Sequence, residues 1–233
     1  MSVVAPSPAA GRRPAPRNRV QRFLTSSIGL KLIMAFSGVL LSLFTLAHML
    51  GNLQAFQGAK ALDEYGELLR KEPALLWAAR IGLLGLVALH VYGYLALSKR
   101  NGAARPQGYR RRVWKESSFA SRSMTLTGPL LLAFIVYHIL HLTTGTVHPD
   151  FEEGAVYHNV VTGLGGVSGV IYLAAMAMLA FHLWHGVWSM LLTLGLPEGR
   201  YQSLGRRGAT AFTALVVLGF ASIPLAVLTG LIK

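Results

Sequence analysis

Apolar and polar positions divide this chain into five long apolar runs separated by polar connections, and each run is near the 20 residues that carry a helix across a bilayer. The runs extend over about Gly29–Gly51, Leu75–Ser98, Ser121–Gly145, Gly169–Leu194 and Ala209–Ile232. They predict an all-α, polytopic membrane protein with five transmembrane helices. Pro129 and Pro224 fall inside runs, where neighbouring helices re-satisfy the carbonyls that a proline frees. Between the first two runs, Asn52–Ala74 contains ALDEYGELLRKEP, which predicts a short amphipathic helix at the membrane surface. The remaining connections read as loops. The start is rich in Pro, Ala and Arg without apolar periodicity, so residues 1–27 are predicted to form a disordered basic arm and 28–233 the membrane domain. The run after the arm is too long for a leader's apolar region and lacks an A-x-A-like cleavage site, so it reads as a retained span.

Composition agrees with this pattern: 53% of residues are hydrophobic, 13% are charged, and the mean hydropathy is +0.48. A net charge of +13 would suit a nucleic-acid surface, but its location argues otherwise. Of the 22 Lys and Arg residues, 17 lie in the N-terminal arm with Lys31, the second loop with Arg122 and the fourth loop. The third loop has none and carries Asp150, Glu152 and Glu153. By the positive-inside rule the N-terminus is predicted to be cytoplasmic and the C-terminus external, with no nucleic-acid partner. Cysteine is absent, which excludes disulfides, thiolate metal sites, iron–sulfur clusters and covalent haem attachment.

Histidine is the remaining supply of cofactor ligands. Six of the eight histidines fall within the apolar runs: His48, His90, His138, His141, His182 and His185. Ionisable side chains at bilayer depth are costly and mark functional sites by default. With alternating span direction and a rise of about 1.5 Å per residue, His48 and the His138/His141 pair lie near the outer side, about 28 Å across. His90 and the His182/His185 pair lie nearer the inner side, and the two levels are about 15 Å apart. Axial ligands of one haem approach opposite faces of the macrocycle, so they come from different helices, and two histidines three apart on one helix cannot straddle it. One histidine from each of four helices suits two bis-histidine haems in a four-helix bundle, with the histidine-free fifth helix at its periphery. Depth counting leaves His138 against His141, and His182 against His185, open. Gly38, Gly85, Gly93, Gly169 and Gly186 would admit a flat porphyrin or close helix packing. His148 and His158, in the acidic third loop, read as surface residues. A rival reading is a transporter that binds a metal ion or protons through His138, His141, His182 and His185.

The stretches LAHMLGN around His48, LHVYGYLA around His90, FIVYHILHLTTG around His138 and FHLWHGVWSM around His182, at this five-span spacing, resemble the dihaem cytochrome b membrane-anchor subunit of succinate dehydrogenase and fumarate reductase. The resemblance covers about Ser27–Gly230. It implies His48 and His138 as axial ligands of an outer haem b, and His90 and His182 as those of an inner haem b. His141 and His185 then become supporting or propionate-side residues, and Arg122 a partner of an inner propionate. Trp188 and Tyr137 are expected near the macrocycles. The resemblance further implies a bacterial cytoplasmic membrane, flavoprotein and iron–sulfur subunits docked on the cytoplasmic face, and a membrane quinone, preferably menaquinone. The chain would contribute the quinone reaction of an oxidoreductase complex and leave the dicarboxylate chemistry to its partners. A related subunit of another quinone-linked dehydrogenase is the neighbouring alternative. Asp63 and Glu64 are candidates for proton exchange with quinone. Ala180 stands where some relatives carry a carboxylate two residues before the fourth-span ligand.

Overall fold

The computed structural model describes residues 18–104, 119–196 and 199–233, and among them every regular element is a helix. Helix α1 (Arg19–Leu24) lies in the arm that is predicted to be irregular. Its cause is local: the Gln21 N–H donates to Asn18 Oδ1 at 2.7 Å and the Asn18 N–H to Gln21 Oε1 at 3.3 Å. This reciprocal box satisfies donors that a short helix would otherwise leave open. The rest of the predicted arm, residues 1–17, is outside the described residues, as is most of the basic second loop.

Helix α2 (Ser27–Asn52) starts from Ser26, whose Oγ accepts from the Gly29 N–H at 3.0 Å. Then α1 folds back over the first turn of α2, where a Cβ at position 29 would fall on the Phe23 carbonyl oxygen. A 3-10 turn (Leu53–Gln57) leads to α3 (Ala59–Arg70), the predicted amphipathic helix, and to α4 (Pro73–Ala103) with Pro73 in its first turn. They are followed by α5 (Phe119–Leu142), α6 (Val156–Gly163), α7 (Gly166–Thr193) and α8 (Gln202–Leu228). Five stretches have the length and apolarity to cross a membrane: Ser27–Gln57, Pro73–Ala103, Arg122–Leu142, Gly166–Thr193 and Gly199–Leu228. The protein is an all-α, polytopic membrane protein.

Helix α7 is the centre of the bundle, with α5, α2 and α8 packed on it, while α4 packs along α2. Small residues set the close approaches: a Cβ on Gly93 of α4 would meet Met34 and the Leu30 carbonyl, and one on Gly219 of α8 would meet Met49. Leucines such as Leu84, Leu126, Leu204 and Leu218 point outward, as a lipid-facing surface requires. The fifth span carries no histidine, yet it is firmly seated: Ala209, Val216, Ile223 and Ala226 are all buried.

One end of the bundle is closed by a cap made of the 3-10 turn, α3 and α6, over a core of Ala55, Leu62, Val160, Leu164, Tyr172 and Ile223. The N-cap residue of α6 is Ala155, whose side chain offers no acceptor. Asp63 of α3 replaces it, accepting from the Tyr157 N–H at 2.8 Å and bringing negative charge to the positive end of the helix. Arg70 Nη2 donates to the Gly154 carbonyl at 3.3 Å, and Tyr157 Oη to that of Lys233 at 3.2 Å. The third connection is therefore partly helical rather than a loop, and the proposed proton-exchange carboxylate at position 63 is committed to a helix end.

Candidate functional site

The bundle places four histidines in two pairs at two levels. On the cap side, His48 of α2 and His138 of α5 face each other with ring centroids 5.8 Å apart and planes at 81°. At the opposite, base side, His90 of α4 and His182 of α7 have centroids 6.3 Å apart and planes at 56°. Neither α2 with α5 nor α4 with α7 packs along its length, so each pair spans a gap between helices.

Contacts along single helices fix the separation of the levels. Gly38 of α2 and Gly128 of α5 lie beside His90 and His182, each ten residues before the histidine that its own helix contributes to the other pair. Running the other way, Tyr172 of α7 touches His138 ten residues before His182. Ten residues of helix span about 15 Å. A Cβ at Gly38 would stand 3.6 Å from His90 Cε1, and one at Gly128 3.9 Å from His182 Cε1. Both are ordinary contacts, so the imidazoles alone do not demand glycine at either place. The missing side chains leave a shallow recess on each side of the base-side pair.

Hydrogen bonds orient one ring of each pair. Ser37 Oγ, fully buried, lies 2.7 Å from the Ile33 carbonyl and 3.1 Å from His90 Nδ1. Its single proton goes to the carbonyl, so it accepts from His90 Nδ1–H, and the lone pair of His90 is left on Nε2. On the cap side, Tyr172 Oη lies 3.2 Å from His138 Nδ1 and 3.1 Å from His141 Nδ1. One hydroxyl proton cannot serve both nitrogens, so at least one of them carries a proton and donates. His48 is stacked on Phe44 at 5.5 Å, flanked by Phe220 of α8 at 5.6 Å, and covered by the Asn52 amide, which donates to the His48 carbonyl at 2.7 Å. Beside this pair opens a cavity lined by His48, His138, Asn52, Tyr172, Met176 and Phe220, among others.

The base-side pair is less completely bonded. His182 Nδ1 is buried without a partner, and so is Thr127 Oγ1, next in sequence to Gly128. Elsewhere Thr25, Thr45, Thr162, Thr193, Thr210 and Thr213 donate to the carbonyl four residues back. Unpaired buried polar atoms are rare, and the third among the described residues, His148 Nδ1, lies on the cap side beside His141.

The other expected site residues separate by role. His141 is 2% exposed, stacks on Tyr137 at 5.1 Å, and is joined to the cap-side pair through Tyr172. His185, one turn past His182, is half-buried and makes no hydrogen bond among the described residues. Arg122 stands six residues before Gly128, about 9 Å from the base-side pair along α5. Tyr137 donates to Ser168 Oγ at 3.2 Å, and Trp188 lies under the Arg206 guanidinium at 5.0 Å, toward the base. Glu64 is exposed and lies 3.8 Å from Lys60. His158 is at the surface, 2.9 Å from the Asp150 carbonyl, but His148 is not. His148 is 5% exposed, its ring is 4.8 Å from that of His141, and its Nε2 is 3.0 Å from Thr162 Oγ1, because α6 folds over it.

Ser37, Asn52, Thr127, Gly128 and Tyr172 are the site residues that the sequence reading omits. The one regular signal for them is the ten-residue interval, which ties Tyr172 to His182 and Gly38 and Gly128 to the cap-side histidines. Among the described residues no group of three or more ligating side chains could hold a metal ion. His138, His141, His182 and His185 do not converge, since the first two meet Tyr172 and His182 faces His90.

No curated protein and no solved structure matches the chain. A family model does: residues 101–222, which include α5, α6 and α7 and hence His138, His182 and Tyr172, match the succinate dehydrogenase/fumarate reductase transmembrane subunit, and the chain belongs to that family.

Proposed function

We propose that this membrane subunit is a dihaem cytochrome b that carries electrons between an iron–sulfur subunit and membrane quinone. The observation that carries the reading is the pair of imidazole pairs. Two imidazoles that each gave one nitrogen to a metal ion held between them would have ring centroids about 6 Å apart, for metal–nitrogen bonds of about 2 Å. The observed 5.8 and 6.3 Å agree with that spacing. The Nε2 lone pair of His90 and the absence of side chains at Gly38 and Gly128 suit a flat ligand inserted at the base side.

On this reading His48 and His138 hold one haem b, and His90 and His182 the other. Haem b, when bound, supplies a one-electron iron couple at each level. The chain's own residues set its surroundings. Ser37 and Tyr172 fix the orientation of His90 and His138, and the aromatic rings of Phe44 and Phe220 exclude water from His48. Arg122 offers charge-assisted hydrogen bonds to a propionate on the base side. Levels about 15 Å apart make two stations across one bilayer core.

The basic residues Arg19, Arg22, Lys99 and Arg100 lie at the base end, where α2 begins and α4 finishes. This favours the base as the cytoplasmic face, a cytoplasmic N-terminus, and the base as the docking surface for the iron–sulfur and flavoprotein subunits. Quinone, preferably menaquinone, then reacts nearer the cap-side haem, in a bacterial cytoplasmic membrane. The family match favours succinate and fumarate over the substrates of other dehydrogenases, and the separated histidines disfavour a single transport site for metal or protons.

Purification of the assembled complex tests the proposal. We expect two haems b per chain in the reduced-minus-oxidised spectrum, with co-purifying flavoprotein and iron–sulfur subunits. A complex with its soluble partners and no haem b would end it.

A further inference from the structure

Tyr172 is a buried phenol on α7, 6% exposed, in contact with two histidines of α5. Its ring is fixed edge-on by Phe134 at 5.0 Å and by Tyr137 at 6.0 Å. His141 is fixed as well, held on one face by the Tyr137 ring at 5.1 Å and close to His148 at 4.8 Å. Neither partner has freedom to turn away, so the hydroxyl must divide its one proton and its lone pairs between His138 Nδ1 and His141 Nδ1.

We infer that Tyr172 is a positioning residue for the cap-side haem: its oxygen accepts the Nδ1–H of His138, and its own O–H is donated to His141 Nδ1. The inference rests on the haem reading proposed above. A neutral imidazole that gives Nε2 to iron carries its proton on Nδ1, so His138 must be the donor. The hydroxyl proton is then left for His141 Nδ1, the other acceptor within reach among the described residues. Bonds aligned in this way polarise one another, and the second strengthens the first. A stronger acceptor at Nδ1–H makes the axial imidazole more electron-rich, which favours ferric iron and lowers the potential of that haem. The base-side counterpart differs. There the chain ends at Ser37, whose proton is given to the Ile33 backbone carbonyl rather than to a second imidazole.

Redox titration of the intact complex tests this inference. Wild type should show two haem b transitions; their absence defeats the haem reading itself and is distinct from failure of the inference. Tyr172→Phe should move one transition upward, or empty that haem alone, while the other stays in place. Ser37→Ala should move the other one, which identifies the two. His141→Phe, which removes the acceptor, should shift the same transition as Tyr172→Phe by a smaller amount. His141→Gln, which retains an acceptor oxygen, should lie closer to wild type than His141→Phe. If Tyr172→Phe abolishes both haems, the His141 pair decides alone. The inference is overturned if both transitions are unmoved in Tyr172→Phe, or if His141→Phe and His141→Gln are indistinguishable.

Discussion

The two imidazole pairs have nearly the same ring spacing, yet their surroundings are built differently. The cap-side pair sits under α3 and α6, flanked by aromatic rings, with His138 tied through Tyr172 to His141. Around the base-side pair the described residues show the hydrogen bond from His90 to Ser37, glycines beside both rings, and two buried polar atoms without partners. The difference shows that the spacing of the rings and their environment are set separately. Helix packing brings the rings to about 6 Å, and neighbouring hydroxyls decide how each ring is held.

The strongest test of the comparison removes one ligand from each level. His90→Ala should lose the base-side haem, half of the total, and His138→Ala the other half, each read as the residual haem b absorbance of the purified complex. A transporter reading would leave His90 dispensable. Next, filling the recess should act on one level only. Gly38→Leu or Gly128→Leu should lower base-side haem content several-fold while the thermal midpoint of the haem-free protein changes less, since a Cβ at either place makes only ordinary contact with a histidine ring. Loss of both haems would show that the recess is not specific to its level.

Smaller effects sharpen the contrast. Ser37→Ala removes the hydroxyl that accepts from His90 Nδ1–H and should weaken base-side haem retention by about 10-fold, within the range seen for such supporting bonds; haem release to a competing acceptor protein measures it. Asp63→Ala should cost about 1 kcal/mol of stability through loss of the α6 cap and loosen only the cap-side haem, whereas Asp63→Asn keeps an acceptor and most of the stability. Denaturant unfolding followed at both haems distinguishes them, and unchanged quinone turnover in Asp63→Asn would separate capping from proton exchange. The smallest change is expected for Thr127→Val. Removing an unpaired buried hydroxyl should be neutral or stabilise the haem-free chain by up to about 1 kcal/mol, read from its thermal midpoint.

Much of this architecture is legible in the sequence because bilayer thickness imposes one length on every span. The five apolar runs and their histidines therefore announce number, order and depth. Residues that depend on contacts between distant helices are not announced. Tyr172 meets His138 and His141 across more than 30 positions, and its own run offers only the ten-residue interval to His182 to set it apart from other interior tyrosines. His148 looks like a loop residue until α6 covers it, and α6 itself lacks a side-chain cap in its own sequence because Asp63 supplies one from 94 residues away. The helix at Arg19–Leu24 was obscured for the opposite reason: its capping box is local, but it sits within a Pro- and Arg-rich context that has no apolar period. Which of His138 and His141 faces His48 is likewise a matter of helix rotation, which depth counting cannot resolve.

The ten-residue interval shared by α2, α5 and α7 makes each of these helices a ruler between the two levels. One inserted residue within it would turn everything beyond by about 100° and advance it by about 1.5 Å, so that a helix could serve one level but no longer both. Insertions at the helix ends carry no such penalty. Length variation compatible with both sites is therefore confined to the connections and the outer turns, and the segments Gly38–His48, Gly128–His138 and Tyr172–His182 must keep their residue count however freely their lipid-facing side chains are exchanged.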